Sequence, residues 1–141
     1  MARTLAQPRQ ASKPPAPSQP SPPSEPTPPD PPDPPEIAAA DPAKGEADYQ
    51  VYCASCHGPR GAGDGPAAAA LDPKPARHND GSYMNALSND ELFKVISEGG
   101  AAVGKSPLMA PWGGSLSQEQ IRDVIAFVRS LAEPPYEGPA P

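Results

Sequence analysis

The chain has 141 residues, 25 prolines, two cysteines and a formal net charge of −6. This length is sufficient for one compact domain. The acidic balance and the lack of a basic cluster argue against a nucleic-acid-binding function. The longest apolar runs, such as residues 124–128, are only five residues long, so we expect no transmembrane segment.

The prolines are concentrated in residues 14–35, "PPAPSQPSPPSEPTPPDPPDPP", which contain 13 of them. This segment cannot bury enough apolar surface to offset the entropy of ordering it. We predict a disordered Pro-rich tether over residues 1–42, whose proline segment reaches about 70 Å as a polyproline II helix. A docking site for a proline-recognising partner is the alternative. A compact domain over residues 43–133 and a C-terminal tail over residues 134–141 complete the predicted organisation.

The domain opens with a predicted helix from about residue 43 to residue 54, which runs into Cys53-Ala54-Ser55-Cys56-His57. A disulfide between these cysteines would close a tight ring and leave His57 unexplained. A thioredoxin-like redox pair needs a strand before it, whereas a helix precedes this motif. A zinc site needs two more ligands, and the chain offers His78 but no third thiol.

The remaining explanation is covalent haem attachment, because C-x-x-C-H is the signature of c-type haem. Cys53 and Cys56 lie on one face of a helical turn, so both sulfurs can reach the vinyl groups at one edge of a porphyrin. His57 follows directly and can bind the iron from the proximal side. The motif predicts one covalently attached haem c.

After the motif, residues 58–88 form a long connection rich in Gly, Pro and Ala. Such a connection is unusual in a compact domain unless it packs against a cofactor. A short helix can form within residues 66–71. Ser88 then opens a second long helix with a capping box, and Gly99 is suited to its C-terminal cap.

The second axial ligand of the iron has three candidates. Met109 lies in "SPLMAPWGG", where flanking prolines forbid a regular helix and favour a rigid loop that can hold a thioether on iron. Core packing is the ordinary role of a methionine and the alternative for Met109. Met84 is interpreted as packing between loop and core, and His78 as a solvated loop histidine. Met109 is therefore the preferred ligand, and Trp112 is expected to line the haem pocket or to fill the core.

The last helix opens at Ser117 with another capping box and ends before Pro134. Its polar residues Arg122, Asp123 and Arg129 are predicted to face away from the core. Because no segment alternates convincingly between apolar and polar residues, the predicted fold class is all-α. The residues predicted to face the core recur at helical spacing: Ile121, Val124, Ile125, Val128 and Leu131.

Together these motifs resemble a single-haem class I c-type cytochrome. The resemblance covers residues 43–133 and rests on "KGEADYQVYCASCHG", "LSNDELFKVISEGG" and "SPLMAPWGGSLSQEQIRDVIAFVRSL". It implies a small helical domain wrapped around one haem, with close approach of the first and last helices at Gly45 and with Phe127 nearby. Family members usually have proline directly after the ligand methionine, whereas Ala110 follows Met109 here.

The predicted function is one-electron transfer, because an iron with two protein ligands has no open site for a substrate. We expect redox proteins as donor and acceptor, in a complex where the tether carries the domain between them. The resemblance implies an extracytoplasmic compartment such as the periplasm, with membrane association through a partner or an anchor. The alternatives are a haem peroxidase or gas sensor with a displaceable Met109, and a module without haem that uses its cysteines for a disulfide or a metal.

Overall fold

The computed structural model describes residues 39–141. The predicted tether lies outside this range except for its last residues. Within residues 39–141 the chain is helical and has no β-strand, which confirms the all-α prediction; one isolated bridge joins Asp80 to Glu133. No helix in this range combines the length and the apolar character that a bilayer crossing needs. The helices are α1 Pro42–Tyr52, α2 Ala54–His57, α3 Gly81–Met84, α4 Asn89–Glu98 and α5 Gln118–Leu131, with 3₁₀ turns at Ala68–Ala70 and Gly100–Val103.

The helix ends follow local sequence signals. Pro42 occupies the first turn of α1, where a missing amide costs no helical hydrogen bond, and the Asp41 side chain caps this helix. Ser88 and Ser117 form the predicted capping boxes of α4 and α5. Gly99 ends α4 with a φ of +85°, in the region that glycine adopts readily.

The core is organised by the crossing of α1 and α5. Gly45 lies at the crossing, where a Cβ would overlap the backbone carbonyl of Asp123. Tyr49, one turn further along α1, is fully buried and packs edge-on against Phe127 with ring centroids 5.0 Å apart. The expected close approach at Gly45 is confirmed.

Two charged residues of α5 are buried, so the prediction that they face away from the core was wrong. Asp123 is 3% exposed, and its Oδ1 accepts a hydrogen bond of 2.7 Å from the Asp41 amide. Arg129 is 6% exposed. Each is buried together with hydrogen-bonding partners, which makes burial of a polar group tolerable.

Arg129 joins α5 to the connection between α3 and α4. Its guanidinium donates hydrogen bonds to the carbonyls of Met84 and Leu87, at 2.7 and 2.6 Å. It also donates to Oδ1 of Asn89, at 2.9 and 3.0 Å. The ring of Tyr136, in the C-terminal tail, covers the guanidinium with its centroid 3.8 Å from the central carbon.

The rest of the tail packs along the same connection. Asn85 donates to the carbonyl of Pro134 at 2.9 Å, and Asn89 donates to the carbonyl of Pro139 at 2.8 Å. The amide of Gly81 donates to the carbonyl of Glu133 at 2.9 Å. Residues 133–139 therefore lie against α3 and the start of α4.

We predict that Gly45→Ala lowers the free energy of unfolding by about 1–3 kcal/mol, because the added methyl group forces α1 and α5 apart. Gly114→Ala is the matched control, since a Cβ there meets no atom within 4 Å. This control is expected to change stability by less than about 0.5 kcal/mol. Urea unfolding followed by far-ultraviolet circular dichroism measures both, and equal stability of the two variants would contradict the role assigned to the crossing.

Candidate functional site

The cysteine motif begins directly after α1 and includes the whole of α2. The amide of Cys53 donates to the carbonyl of Tyr49 at 2.9 Å, and the amide of His57 donates to the carbonyl of Cys53 at 2.9 Å. The chain therefore makes one further helical turn, which carries Cys56 and His57. Gly58 ends this turn with a φ of +80°.

The motif borders an apolar cavity of about 490 Å³. This volume falls within the range of roughly 300–1,000 Å³ that is usual for small-molecule and cofactor sites. Cys53, Cys56, His57 and Met109 all line it, so the structure brings the four predicted site residues around one space. Most of the other wall residues are aliphatic or aromatic, among them Leu71, Leu92, Ile96, Trp112, Val124 and Val128.

The two thiols differ in burial, and neither is in a disulfide. Cys53 is 6% exposed, whereas Cys56 is half-buried. Burial raises the pKa of Cys53 to about 12, with smaller contributions from Cys56 and Asp48. A thiol with so high a pKa is a poor attacking group at neutral pH, which argues against a thioredoxin-like pair.

His57 is oriented by a backbone carbonyl. It is 8% exposed, and its Nδ1 lies 2.9 Å from the oxygen of Ala76. Because a carbonyl oxygen can only accept, Nδ1 carries the proton and Nε2 keeps its lone pair. Burial lowers the pKa of His57 below its usual 6.5, although the bond to Ala76 opposes this effect. The neutral ring with a free Nε2 is the form that binds a metal.

His78 lies beside His57, which corrects the expectation of a solvated loop histidine. The two rings stack with centroids 4.1 Å apart and planes 17° apart, and His78 is half-buried. Burial lowers the pKa of His78 well below 6.5, and the neighbouring His57 lowers it further. A ring stacked on His57 shares its side of the cavity and is badly placed to supply a ligand from the opposite side.

Tyr49 connects His78 to the end of the motif. Its hydroxyl oxygen lies 3.0 Å from Nδ1 of His78 and 3.1 Å from the carbonyl oxygen of Gly58. Burial raises the pKa of Tyr49 well above its usual 10.0, followed by smaller effects of Cys53 and Asp64, so the hydroxyl keeps its proton. This proton goes to the Gly58 carbonyl, and Nδ1 of His78 then donates to the Tyr49 oxygen.

The loop that carries Met109 is fixed to the C-terminal end of α4. The amide of Gly100 donates to the carbonyl of Met109 at 2.9 Å, and the amide of Trp112 donates to the carbonyl of Ile96 at 2.8 Å. A Cβ at Gly99 would come within 2.9 Å of the Met109 carbonyl oxygen, so the paired glycines permit this close contact. Met109 itself is half-buried at the cavity wall.

Trp112 and Met84 also line the cavity. Trp112 also packs against the hydrophobic core, and its ring contacts Tyr52 with centroids 5.3 Å apart, so the structure agrees with both expected roles of this residue. Met84 is 2% exposed, and its carbonyl is held by Arg129. This burial agrees with the predicted packing role of Met84.

The residues around the cavity fit a covalently bound haem. Cys53 and Cys56 can form the two thioether bonds, and His57 offers a neutral imidazole nitrogen. Sequence reasoning missed Ala76 and Tyr49, which orient the two histidines. A backbone carbonyl leaves no sequence signal, and a tyrosine within a helix is ordinarily interpreted as a core residue.

A family model described as cytochrome c oxidase, cbb3-type, subunit III matches residues 40–128. The chain belongs to this family. It is a c-type cytochrome, and its cofactor is covalently bound haem c. As a cytochrome c domain it is an electron-transfer unit.

Two solved structures share the fold of this cytochrome domain. The c-type cytochrome KustC0563 has 22% sequence identity and a TM-score of 0.53, and the match covers 62% of this chain and 96% of that one. A chain of the Kuenenia stuttgartiensis reducing HAO-like protein complex Kustc0457/Kustc0458 has 25% identity and a TM-score of 0.52. That match covers 70% of this chain but only 46% of the other. No curated protein sequence is detectably similar to the chain.

We predict that Cys53→Ala/Cys56→Ala abolishes covalent haem attachment, because no other cysteine exists in the chain. Ser55→Ala, between the two cysteines, is the matched control and is expected to retain the haem. Intact-mass spectrometry after acid–organic extraction separates the outcomes, in protein from a host that matures c-type haem. The attachment would be refuted if the double variant retained the mass of a haem after extraction, or if the unaltered chain did not retain it.

Proposed function

We propose that the protein is a one-electron carrier whose haem iron is bound by His57 and Met109, and that it passes electrons between partner redox proteins. The observation that carries the proposal is the convergence of Cys53, Cys56, His57 and Met109 on one apolar cavity. When bound, the haem supplies an iron centre that alternates between the ferric and ferrous states.

The contribution of each side chain follows from its chemistry. Cys53 and Cys56 hold the porphyrin edge against the end of α1. His57 presents Nε2 because the Ala76 carbonyl fixes the proton on Nδ1. The soft sulfur of Met109 favours the ferrous state, and a His/Met pair raises the reduction potential relative to two histidines.

Met109 is preferred over the other two candidates for geometric reasons. His78 stacks on His57 and shares its side of the cavity. Met84 is almost completely buried, and its side chain belongs to the hydrophobic core cluster. Met109 is half-buried on a loop whose backbone is held by α4, so its side chain can face a cofactor without loss of a backbone bond.

The exposed apolar residues around the cavity support docking of a redox partner. Val51, Tyr83 and Leu108 line the cavity and are 71%, 40% and 58% exposed. Apolar groups at a cavity mouth suit a transient partner whose cofactor must approach closely. One structural neighbour belongs to a multi-protein complex, which is in line with a partner-bound role.

We further propose that residues 43–133 form the carrier domain in the periplasm or an equivalent compartment, with residues 1–42 as its tether.

We predict that Met109→Leu removes the thioether-to-iron charge-transfer band at the red end of the oxidised spectrum. The reduced form should then bind carbon monoxide readily, and its reduction potential should fall. Met84→Leu is the matched control, since it removes the other thioether at the cavity and should retain the band.

Two outcomes would overturn the proposal. Loss of the band in Met84→Leu, together with its retention in Met109→Leu, would identify Met84 and not Met109 as the ligand. Ready binding of carbon monoxide by the unaltered protein would show an open site and favour the peroxidase or gas-sensor alternative.

A further inference from the structure

We propose that His78 is a positioning residue for His57: its stacked ring, anchored by Tyr49, sets the plane of the His57 imidazole and thereby tunes the iron. This inference rests on the proposed ligation by His57. It concerns His78, which the sequence alone predicted to be a solvent-exposed loop residue.

The bond from His57 to Ala76 fixes one atom of the ring but not its plane. A single hydrogen bond of 2.9 Å tolerates a range of donor angles, so the imidazole can still rotate about the axis from its Nδ1 to the Ala76 oxygen. A second contact is needed to select one plane. The ring of His78, nearly parallel at 4.1 Å, provides a flat surface that does so.

His78 is itself held from two directions. Its Nδ1 bonds to the hydroxyl of Tyr49, which is fully buried and is bonded in turn to the carbonyl of Gly58. On the backbone side, Gly61 has a φ of +68°, and a Cβ there would lie 2.7 Å from Cβ of His78. The tight contact leaves the His78 backbone little freedom to move.

The segment that carries His78 is also bound at its end. The amide of Asn79 donates to the carbonyl of Gly61 at 3.1 Å, and its carbonyl accepts from the amide of Glu133 at 3.1 Å. Ala76, which orients His57 through its carbonyl, belongs to the same segment. One short stretch of chain, residues 76–79, therefore supplies both the hydrogen bond and the stacking surface for His57.

The consequence for the iron is electronic. The plane of an axial imidazole decides which iron d orbitals it overlaps, so a rotation of His57 changes the g values of the oxidised centre and its reduction potential. Outer contacts of metal-bound histidines are known to tune metal properties in this way. His78 is predicted to act only through His57, without touching the iron.

Two variants of His78 with side chains that fill the space separate this role from simple packing. His78→Leu removes the flat ring, whereas His78→Phe keeps a flat ring but removes the bond to Tyr49. Tyr49→Phe removes the same bond from the other side, together with the bond from Tyr49 to the Gly58 carbonyl. Arg77→Ala, an exposed neighbour in the same segment, is the control.

The readouts are the electron paramagnetic resonance g values and the reduction potential of the haem-loaded protein. Haem mass and the thermal unfolding midpoint are measured alongside. We expect His78→Leu to shift both the g values and the potential while the haem mass is retained. The g values of His78→Phe should lie close to those of the unaltered protein. Tyr49→Phe should shift the g values by an intermediate amount, and Arg77→Ala should not shift them.

The possible failures are distinguishable. If His78→Leu leaves both g values and potential unchanged while the unaltered protein shows the thioether band, the positioning role is wrong and the proposed ligation stands. If His78→Phe shifts the g values as much as His78→Leu, the flat ring is not the determinant and the inference fails. If the unaltered protein lacks the thioether band, the proposed His/Met ligation is wrong, whatever the His78 variants show.

Discussion

The close approach of α1 and α5 at Gly45 is the constraint on which the rest of the structure depends. Because the two backbones touch there, Tyr49 enters the core against Phe127 and its hydroxyl reaches the turn that follows the cysteine motif. The motif that follows α1 then places Cys53 and Cys56 at a cavity whose wall includes the apolar face of α5. Gly45 is not part of the cavity wall, yet the helix crossing at this residue fixes where the cysteine motif lies.

The cavity is also part of the core. Leu92, Ile96 and Val124 belong to the main hydrophobic cluster and at the same time line the cavity. A domain of this size buries limited apolar surface, so a large flat cofactor in the middle contributes to folding as well as to function. Because the haem is covalently bound, it stays on the chain when the domain unfolds, and its burial in the folded domain stabilises that state by removing apolar surface from water.

Sequence reasoning was sufficient where a feature depends on neighbours in the chain. The capping boxes at Ser88 and Ser117, the glycine at the end of α4 and the inward stripe of α5 are local patterns, and all are present. It failed for Asp123 and Arg129, because each is buried through a bond to a segment at least 40 residues away in sequence. It also failed for His78, because the neighbours of that ring come from α1 and from the cysteine motif and not from its own loop.

The attachment of the Met109 loop to α4 restricts the main chain of Met109 but not its side chain. The backbone is pinned at the methionine itself through Gly100 and again at Trp112. If the cavity wall has to adapt at Met109, only the torsion angles of this side chain need to change, while the main chain stays in place. Side-chain rotation is fast compared with loop rearrangement, so this wall can adjust without opening of the loop.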